Sequence, residues 1–307
     1  MLYLYTPDQQ DLYLQLLQQS LPDWQIAAWP EVVDETRVTH TAVWAPPPGF
    51  FARFPNLQVI HVMGAGVDAL LQREDVPPQV AIFRLADAGM AQQMQEYCLY
   101  GVLHYQRQMD VYRRQQLAGQ WIQQATRLAR DVRVSVLGLG ELGRKVAQSL
   151  AGMGYRVCGW SRQPRQIDQV QCFAGADGLR ALLAQTDVLF CVLPATAETR
   201  HLLNAESLSW LPEGAAIINA GRGSLIDESA LLDRLDGGKL RFAMLDVYAR
   251  EPLPPKHPFW QHPRLIMTPH VAADTVPQDA VAQIAANLQA NARGETVAAR
   301  VSRQQGY

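Results

Sequence analysis

Short apolar runs recur along the chain at strand length, each closed by a polar stretch or by glycine and proline. Residues 2–5, 25–28, 41–44, 59–62 and 81–85 lack the strict alternation of a half-exposed sheet, so they predict strands covered on both faces. Helical spacing over 10–18 supplies one crossover between them. Covered strands joined by crossovers pair in parallel, which predicts a small parallel sheet. From 90 to 112 the apolar positions return at helical period without a proline, predicting one long helix that leaves this first region. A second rhythm opens with strand at 132–137, helix at 142–150 and strand at 156–160. Further strands are predicted at 188–192, 215–219, 242–246 and 265–268, with helices around 179–183 and 228–235 and a last helix over 278–292.

The second rhythm carries a glycine-rich turn. Gly138, Gly140 and Gly143 form Gly-Leu-Gly-Glu-Leu-Gly after the strand ending at 137, so that Glu141 and Leu142 open the following helix. Glycines in this setting allow a tight turn and close approach of a pyrophosphate, and unpaired amides at the helix start meet its charge. The pattern predicts an α/β chain of two Rossmann-like or flavodoxin-like parallel-sheet domains. Residues 94–276 form the dinucleotide-binding domain in this reading. Residues 1–93 with 277–307 form a substrate-binding domain, with an active-site cleft between the two. A site for NAD usually has an acid at the end of its second strand. Here Ser161, Arg162 and Arg165 surround that point, and guanidinium groups with a hydroxyl suit an added phosphate. NADPH or NADP is therefore favoured, with NADH or NAD also admissible.

Three chemically capable side chains follow predicted strands, at the sheet edge that faces ligands in open α/β folds. Arg222, between Gly221 and Gly223, offers a fork of donors to a carboxylate and positive charge to a developing oxyanion. His270, after Pro269, changes charge near neutrality, and Glu251, before Pro252, would favour its protonated form. The pair predicts proton donation to a ketone oxygen. Asp246 is open to several roles: a cofactor contact, an orienting carboxylate or a strand-end cap. In the first domain the loop Gly64, Ala65, Gly66 and Val67 has the small side chains of an anion-binding turn. Trp44 is assigned to the substrate pocket, and Leu85, Met90 and Trp260 are further bulky groups that would narrow it. His61 reads as a core histidine and His104 as one face of the long helix. The five-residue spacing of His257 and His262 does not suit a metal, and no metal is expected.

Composition removes several classes. The chain has 24 Arg and 3 Lys against 29 acidic residues, a net charge of -2, and no basic stripe for nucleic acid. No window approaches the roughly 18 apolar residues of a membrane span, and the start lacks a basic flank and apolar core of a signal peptide. A soluble, cytoplasmic protein is expected. Cys98, Cys158, Cys172 and Cys191 form no CxxC pair and read as buried reduced thiols. Residues 113–130 are polar and basic yet include Trp121, Ile122 and Leu128, which predicts a subunit contact and a homodimer.

The glycine turn at 138–143, Asn219-Ala220-Gly221-Arg222-Gly223, Leu245-Asp246-Val247-Tyr248 with Glu251-Pro252, and Pro269-His270 together resemble the D-2-hydroxyacid dehydrogenase family over essentially the whole chain. Segments 62–68, 87–97 and 253–307 are similar to the branch that reduces glyoxylate and hydroxypyruvate. The resemblance implies hydride delivery from a dihydronicotinamide to the 2-keto carbon, giving glycolate or D-glycerate without a catalytic metal. It implies that Arg222 orients the substrate, that Glu251 partners the histidine, and that His270 protonates the substrate oxygen. At Ser161-Arg162 the chain is similar to NADPH-preferring members. Two other readings stand beside this one: a D-2-hydroxyacid dehydrogenase with a larger or different substrate, and a non-catalytic NAD(P)-binding regulator.

Overall fold

The structure is a computed structural model that describes residues 1–307 apart from 298, 305 and 307. Those three positions of the expected segment 277–307 lie outside the described residues. The chain divides into two compact units, residues 1–90 with 274–307 and residues 91–273.

In the first unit, β1 (Leu2–Tyr5), β2 (Ile26–Ala28), β3 (His40–Val43), β4 (Val59–Val62) and β5 (Ala81–Phe83) pair in parallel in the order β2-β1-β3-β4-β5. Successive side chains serve different cores. Tyr3, Val43, Ile60 and Ile82 pack with Phe50, Phe51 and Phe54, whereas Val59 and Phe83 pack with Val297 and Ala299. A fully buried side chain of this size adds about 1.5–3 kcal/mol, so burial on both faces outweighs local strand preference here. His61, in the middle of β4, is 1% exposed, and neither ring nitrogen has a hydrogen-bond partner among the described residues. Burial, with the neighbouring His40 second, lowers its imidazole to about 3, so it is a neutral core residue.

The second unit is built on β6 (Arg133–Leu137), β7 (Arg156–Ser161), β8 (Gln171–Ala174), β9 (Val188–Cys191), β10 (Ala215–Asn219), β11 (Leu240–Leu245) and β12 (Leu265–Met267). All pair in parallel, in the order β12-β11-β10-β9-β6-β7-β8. Chain order reverses between β6 and β9, which makes their carboxyl ends the topological switch point where such sheets bind ligands. Leu189, Ile217 and Leu245 belong to one core and Phe190, Ile218 and Met244 to the other, the alternation expected of a sheet covered twice. Strand β8 has no counterpart among the predicted runs. It is a four-residue edge strand, Gln-Cys-Phe-Ala, with Gln171 exposed and the rest half-buried, so its apolar run is shorter and more open than those of the buried strands.

The single helix expected over 90–112 is two helices, Met90–Gln106 and Met109–Leu117. Gln108 between them has φ 56, a left-handed conformation that ends the helical path. Beyond the break, Asp110 pairs with both Arg114 and Arg241 of β11. That half-buried ion pair and the redirected backbone override a helical period that the sequence continues. Cys98, Cys158 and Cys191 are buried, Cys172 is half-buried, and all four are free. No helix among the described residues is long and apolar enough to cross a membrane.

Candidate active site

The glycine turn follows β6 at the switch point. Gly138 has φ 106, and its amide donates to the carbonyl of Trp160 at the end of β7 (2.9 Å). A Cβ on Gly143 would lie 1.8 Å from the Gly138 carbonyl oxygen, so only glycine lets the helix Glu141–Gly152 start against the turn. No side chain caps that helix; its first amides are left to a ligand or to water. Leu142 is half-buried against the core, whereas Glu141 is exposed and pairs with Arg144 at 3.4 Å. At the end of β7 the Ser161 hydroxyl donates to the Gln163 carbonyl (2.7 Å), shaping the turn that exposes Arg162 and Arg165. The Glu198 carboxyl is held below its ordinary value by a hydrogen bond from Thr196 and, among lesser causes, by the charge of Arg162. The guanidinium of Arg162 is thus within electrostatic reach of the segment that follows β9.

Arg222, Glu251 and His270 follow the adjacent strands β10, β11 and β12. The Arg222 loop is shaped by Asn219, 1% exposed, whose side chain accepts from the Gly221 amide (3.2 Å) and donates to the Arg222 carbonyl (3.0 Å). A Cβ on Gly223 would fall 1.8 Å from the carbonyl carbon of Tyr248, so glycine lets this loop pass the one that leads to Glu251. The Arg222 side chain is half-buried, and one of its guanidinium nitrogens donates to the Gly221 carbonyl (2.8 Å). Glu251 accepts from the Tyr248 amide (2.9 Å) through one oxygen. Its other oxygen lies 2.6 Å from His270 Nδ1.

A carboxylate only accepts, so Nδ1 carries the proton in this contact and Nε2 is the nitrogen that gains and releases one. The hydrogen bond that His270 donates to Glu251 is the largest influence on the imidazole. It and the charges of Glu251 and Asp246 outweigh burial and Arg222, and the imidazole is raised above its ordinary value. For Glu251, burial alone would raise the carboxyl, but the bonds from His270 and the Tyr248 amide, with the charges of His270 and Arg222, bring it below the usual value. An ion pair of imidazolium and carboxylate beside a guanidinium can donate a proton and hold an anion.

His270 has φ 57, an uncommon backbone state for a residue with a Cβ. Asp246, 1% exposed, maintains it: its carbonyl accepts from the His270 amide (2.8 Å), and its carboxylate accepts from the Val271 and Ala272 amides (2.8 and 2.9 Å) and from the Thr268 hydroxyl (2.7 Å). These bonds make Asp246 an organiser of the loop. Tyr97, Thr268, Asn219 and Tyr248 support the site in roles the sequence did not assign, although Asn219 and Tyr248 stand within its motifs, because a buried hydroxyl or amide has no periodic signature.

Other assigned residues are placed separately. In the first unit the Gly64 carbonyl accepts from the Leu85 amide (3.0 Å), and Val67 precedes the short helix Asp68–Leu71. Ala65 and Gly66 are half-buried, and Gly64 lies against the Trp44 ring. Trp44 and Trp260 are exposed, whereas Leu85 and Met90 are core residues. His257 pairs with Glu228 (3.3 Å) and His262 with Asp236 (3.2 Å). No group of three or more His, Cys, Asp or Glu residues is arranged for a metal among the described residues.

Residues 99–272 match the family described as D-isomer specific 2-hydroxyacid dehydrogenase, NAD binding domain. The chain is 43% identical over 296 residues to glyoxylate/hydroxypyruvate reductase A of Serratia proteamaculans, spanning 95% of this chain and 94% of that one. Its fold is similar to the crystal structure of a D-isomer specific 2-hydroxyacid dehydrogenase from Xanthobacter autotrophicus in complex with NADPH and MES, with TM-score 0.96 and 40% identity over 100% of this chain and 99% of the other. It is also similar to the NADPH-dependent glyoxylate/hydroxypyruvate reductase of Sinorhizobium meliloti in complex with NADP and sulfate, with TM-score 0.90 and 31% identity over 100% and 99% of the two chains.

Proposed function

The chain belongs to the D-isomer specific 2-hydroxyacid dehydrogenase family and is an NAD(P)-dependent oxidoreductase, and on that premise we propose that it is an NADPH-preferring reductase of glyoxylate and hydroxypyruvate, forming glycolate and D-glycerate. The observation that carries the chemistry is the 2.6 Å contact between His270 Nδ1 and Glu251, with the charge of Arg222 acting on both groups. The glycine turn and the uncapped helix at 141 suit a dinucleotide pyrophosphate. A bound dihydronicotinamide supplies hydride to C2 of the keto acid. His270 donates its Nε2 proton to the keto oxygen, Glu251 accepts the hydrogen bond from Nδ1, which keeps its proton, and stabilises the imidazolium, and Arg222 holds the carboxylate and steadies negative charge on the oxygen. Asp246 keeps the histidine loop in place and is also a candidate contact of the cofactor. The loop 64–67 keeps its own reading as a carboxylate-binding turn.

The substrate reading is supported by the 43% identical relative, which is a glyoxylate/hydroxypyruvate reductase. It is tested by turnover on a panel of 2-keto acids at fixed NADPH. Glyoxylate and hydroxypyruvate are expected to give the highest kcat/KM; faster turnover of phenylpyruvate or branched keto acids assigns a different member of the family. NADPH oxidation that no keto acid stimulates would leave only a dinucleotide-binding protein.

The cofactor preference rests on Arg162, with Ser161 shaping the turn and Arg165 secondary. A charged hydrogen bond to a 2′-phosphate is worth about 1.5–3 kcal/mol, or roughly 10- to 150-fold in affinity. Arg162→Ala is therefore expected to lower the ratio of kcat/KM for NADPH over NADH by about 10-fold or more, and less at higher salt, since the group is exposed. An unchanged ratio removes Arg162 from the phosphate site.

A homodimer is the proposed assembly. Leu117, Trp121, Ile122 and Leu128 expose large apolar side chains on one stretch of chain, with Trp121 fully exposed. Light scattering at working concentration is expected to give twice the chain mass of 34.2 kDa; a persistent monomer contradicts it.

A further inference from the structure

We propose that Tyr97 is a positioning residue for His270, acting through a hydrogen-bonded chain from Tyr97 to Thr268 to Asp246 that clamps the loop carrying the imidazole. The inference rests on the reading of His270 as proton donor. Tyr97 lies in the helix Met90–Gln106, and its hydroxyl is 2.7 Å from Thr268 Oγ1. Thr268 Oγ1 in turn lies 2.7 Å from Asp246 Oδ1. The direction of both bonds follows from counting protons. The Asp246 carboxylate accepts from the Val271 and Ala272 amides and from Thr268, and it has no proton to give. Thr268 has one hydroxyl proton, which it spends on Asp246. The tyrosine must then be the donor to Thr268, and its phenol cannot be replaced by a group that only accepts.

Each link ends on the histidine loop. Asp246 fixes the amides of 271 and 272 through its side chain and that of 270 through its carbonyl. The Thr268 carbonyl is held by the Tyr248 hydroxyl at 2.9 Å. His270 sits at φ 57 between these anchors, and such a backbone persists only where surrounding bonds over-determine it. Loss of the outermost donor leaves Thr268 Oγ1 short of a partner and weakens its bond to Asp246, because hydrogen bonds in a chain polarise one another. The loop then relaxes toward ordinary backbone angles, and the 2.6 Å contact of Nδ1 with Glu251 lengthens. Burial raises the Tyr97 phenol, the hydrogen bond with Thr268 lowers it by less, and the charges of Asp246 and the neighbouring tyrosines raise it further, so it remains protonated and a donor across the working range. Glu251, Arg222 and Asp246 are the charged groups that act on His270.

The test compares the full chain with Tyr97→Phe, Thr268→Ser and Thr268→Val, using NADPH and glyoxylate across pH. Tyr97→Phe is expected to lower kcat by about 5- to 10-fold, with KM and NADPH affinity within about twofold, and to move the alkaline limb of the rate profile to lower pH. Thr268→Val, which breaks both links, is expected to lose more, and Thr268→Ser, which keeps the hydroxyl, to retain most of the rate and the profile. A wild-type kcat and alkaline limb in Tyr97→Phe, or equal losses in the serine and valine variants, overturns the proposal. If Tyr97→Phe does not fold, the serine and valine pair decides alone. Histidine NMR of the full chain separates this idea from the one beneath it: the His270 midpoint falls in Tyr97→Phe if the clamp exists, whatever His270 does in turnover. Full activity of His270→Ala removes the proton-donor reading, whereas an inactive His270→Ala beside an unaltered Tyr97→Phe removes only the clamp.

Discussion

His270→Ala is expected to lower kcat for glyoxylate reduction by about 10²- to 10⁴-fold while leaving NADPH affinity within about twofold. Glu251 is no substitute for the proton on Nε2, because its carboxyl is held below the ordinary value and so is ionised. In the proposed site the dinucleotide binds instead at the turn 138–143, away from the imidazole's chemistry. Stopped-flow turnover and NADPH fluorescence titration separate these quantities, and ordinary turnover in the variant would eliminate the assigned acid. The pH dependence has a definite sign. With His270 as the proposed proton donor, reduction requires imidazolium, so activity is expected below the His270 pKa and is lost as pH rises through it. Glu251 places that limb above the ordinary histidine range. In Glu251→Gln the hydrogen bond and charge that raise His270 are weakened or absent, and the limb moves to lower pH.

Arg222→Gln is the second large effect. The expected loss in kcat/KM is about 10³-fold or more, shared between a higher KM and a lower kcat, on the proposal that the guanidinium holds the substrate carboxylate in the ground state and the oxygen charge in the transition state. The same substitution has a subtler consequence that a misfolded site would not reproduce. Arg222 lowers the His270 pKa by charge repulsion, so its removal moves the alkaline limb to higher pH, opposite to Glu251→Gln. Steady-state profiles of the two variants, at matched ionic strength, are expected to diverge from the parent in opposite directions. A shift in the same direction for both would disconnect the limb from His270. Exogenous guanidinium is a useful companion measurement: partial recovery in Arg222→Gln supports a missing charge rather than a distorted loop.

Runs of apolar residues bounded by glycine and proline were enough to locate β4 and β10 to the residue, because strands buried on both faces leave a continuous signal. The turn at 138–143 was equally legible, since a helix packed within a van der Waals diameter of its own entry turn tolerates only glycine. The family could be read from the same short motifs, and with it the class of chemistry. Strand β8 and the break at Gln108 were not legible: one is a four-residue edge strand only half covered, and the other answers to Asp110 reaching Arg241, a partner 131 positions away. Likewise, sequence put Glu251 and His270 after separate strands and left three roles open for Asp246. Only the packed sheet sets β10, β11 and β12 side by side, brings Nδ1 to 2.6 Å from the carboxylate, and turns Asp246 toward the amides of 271 and 272. Periodicity records which face a residue buries, a property of its near neighbours in the chain; a hydrogen bond between distant loops depends on strand order and register, which no local pattern encodes.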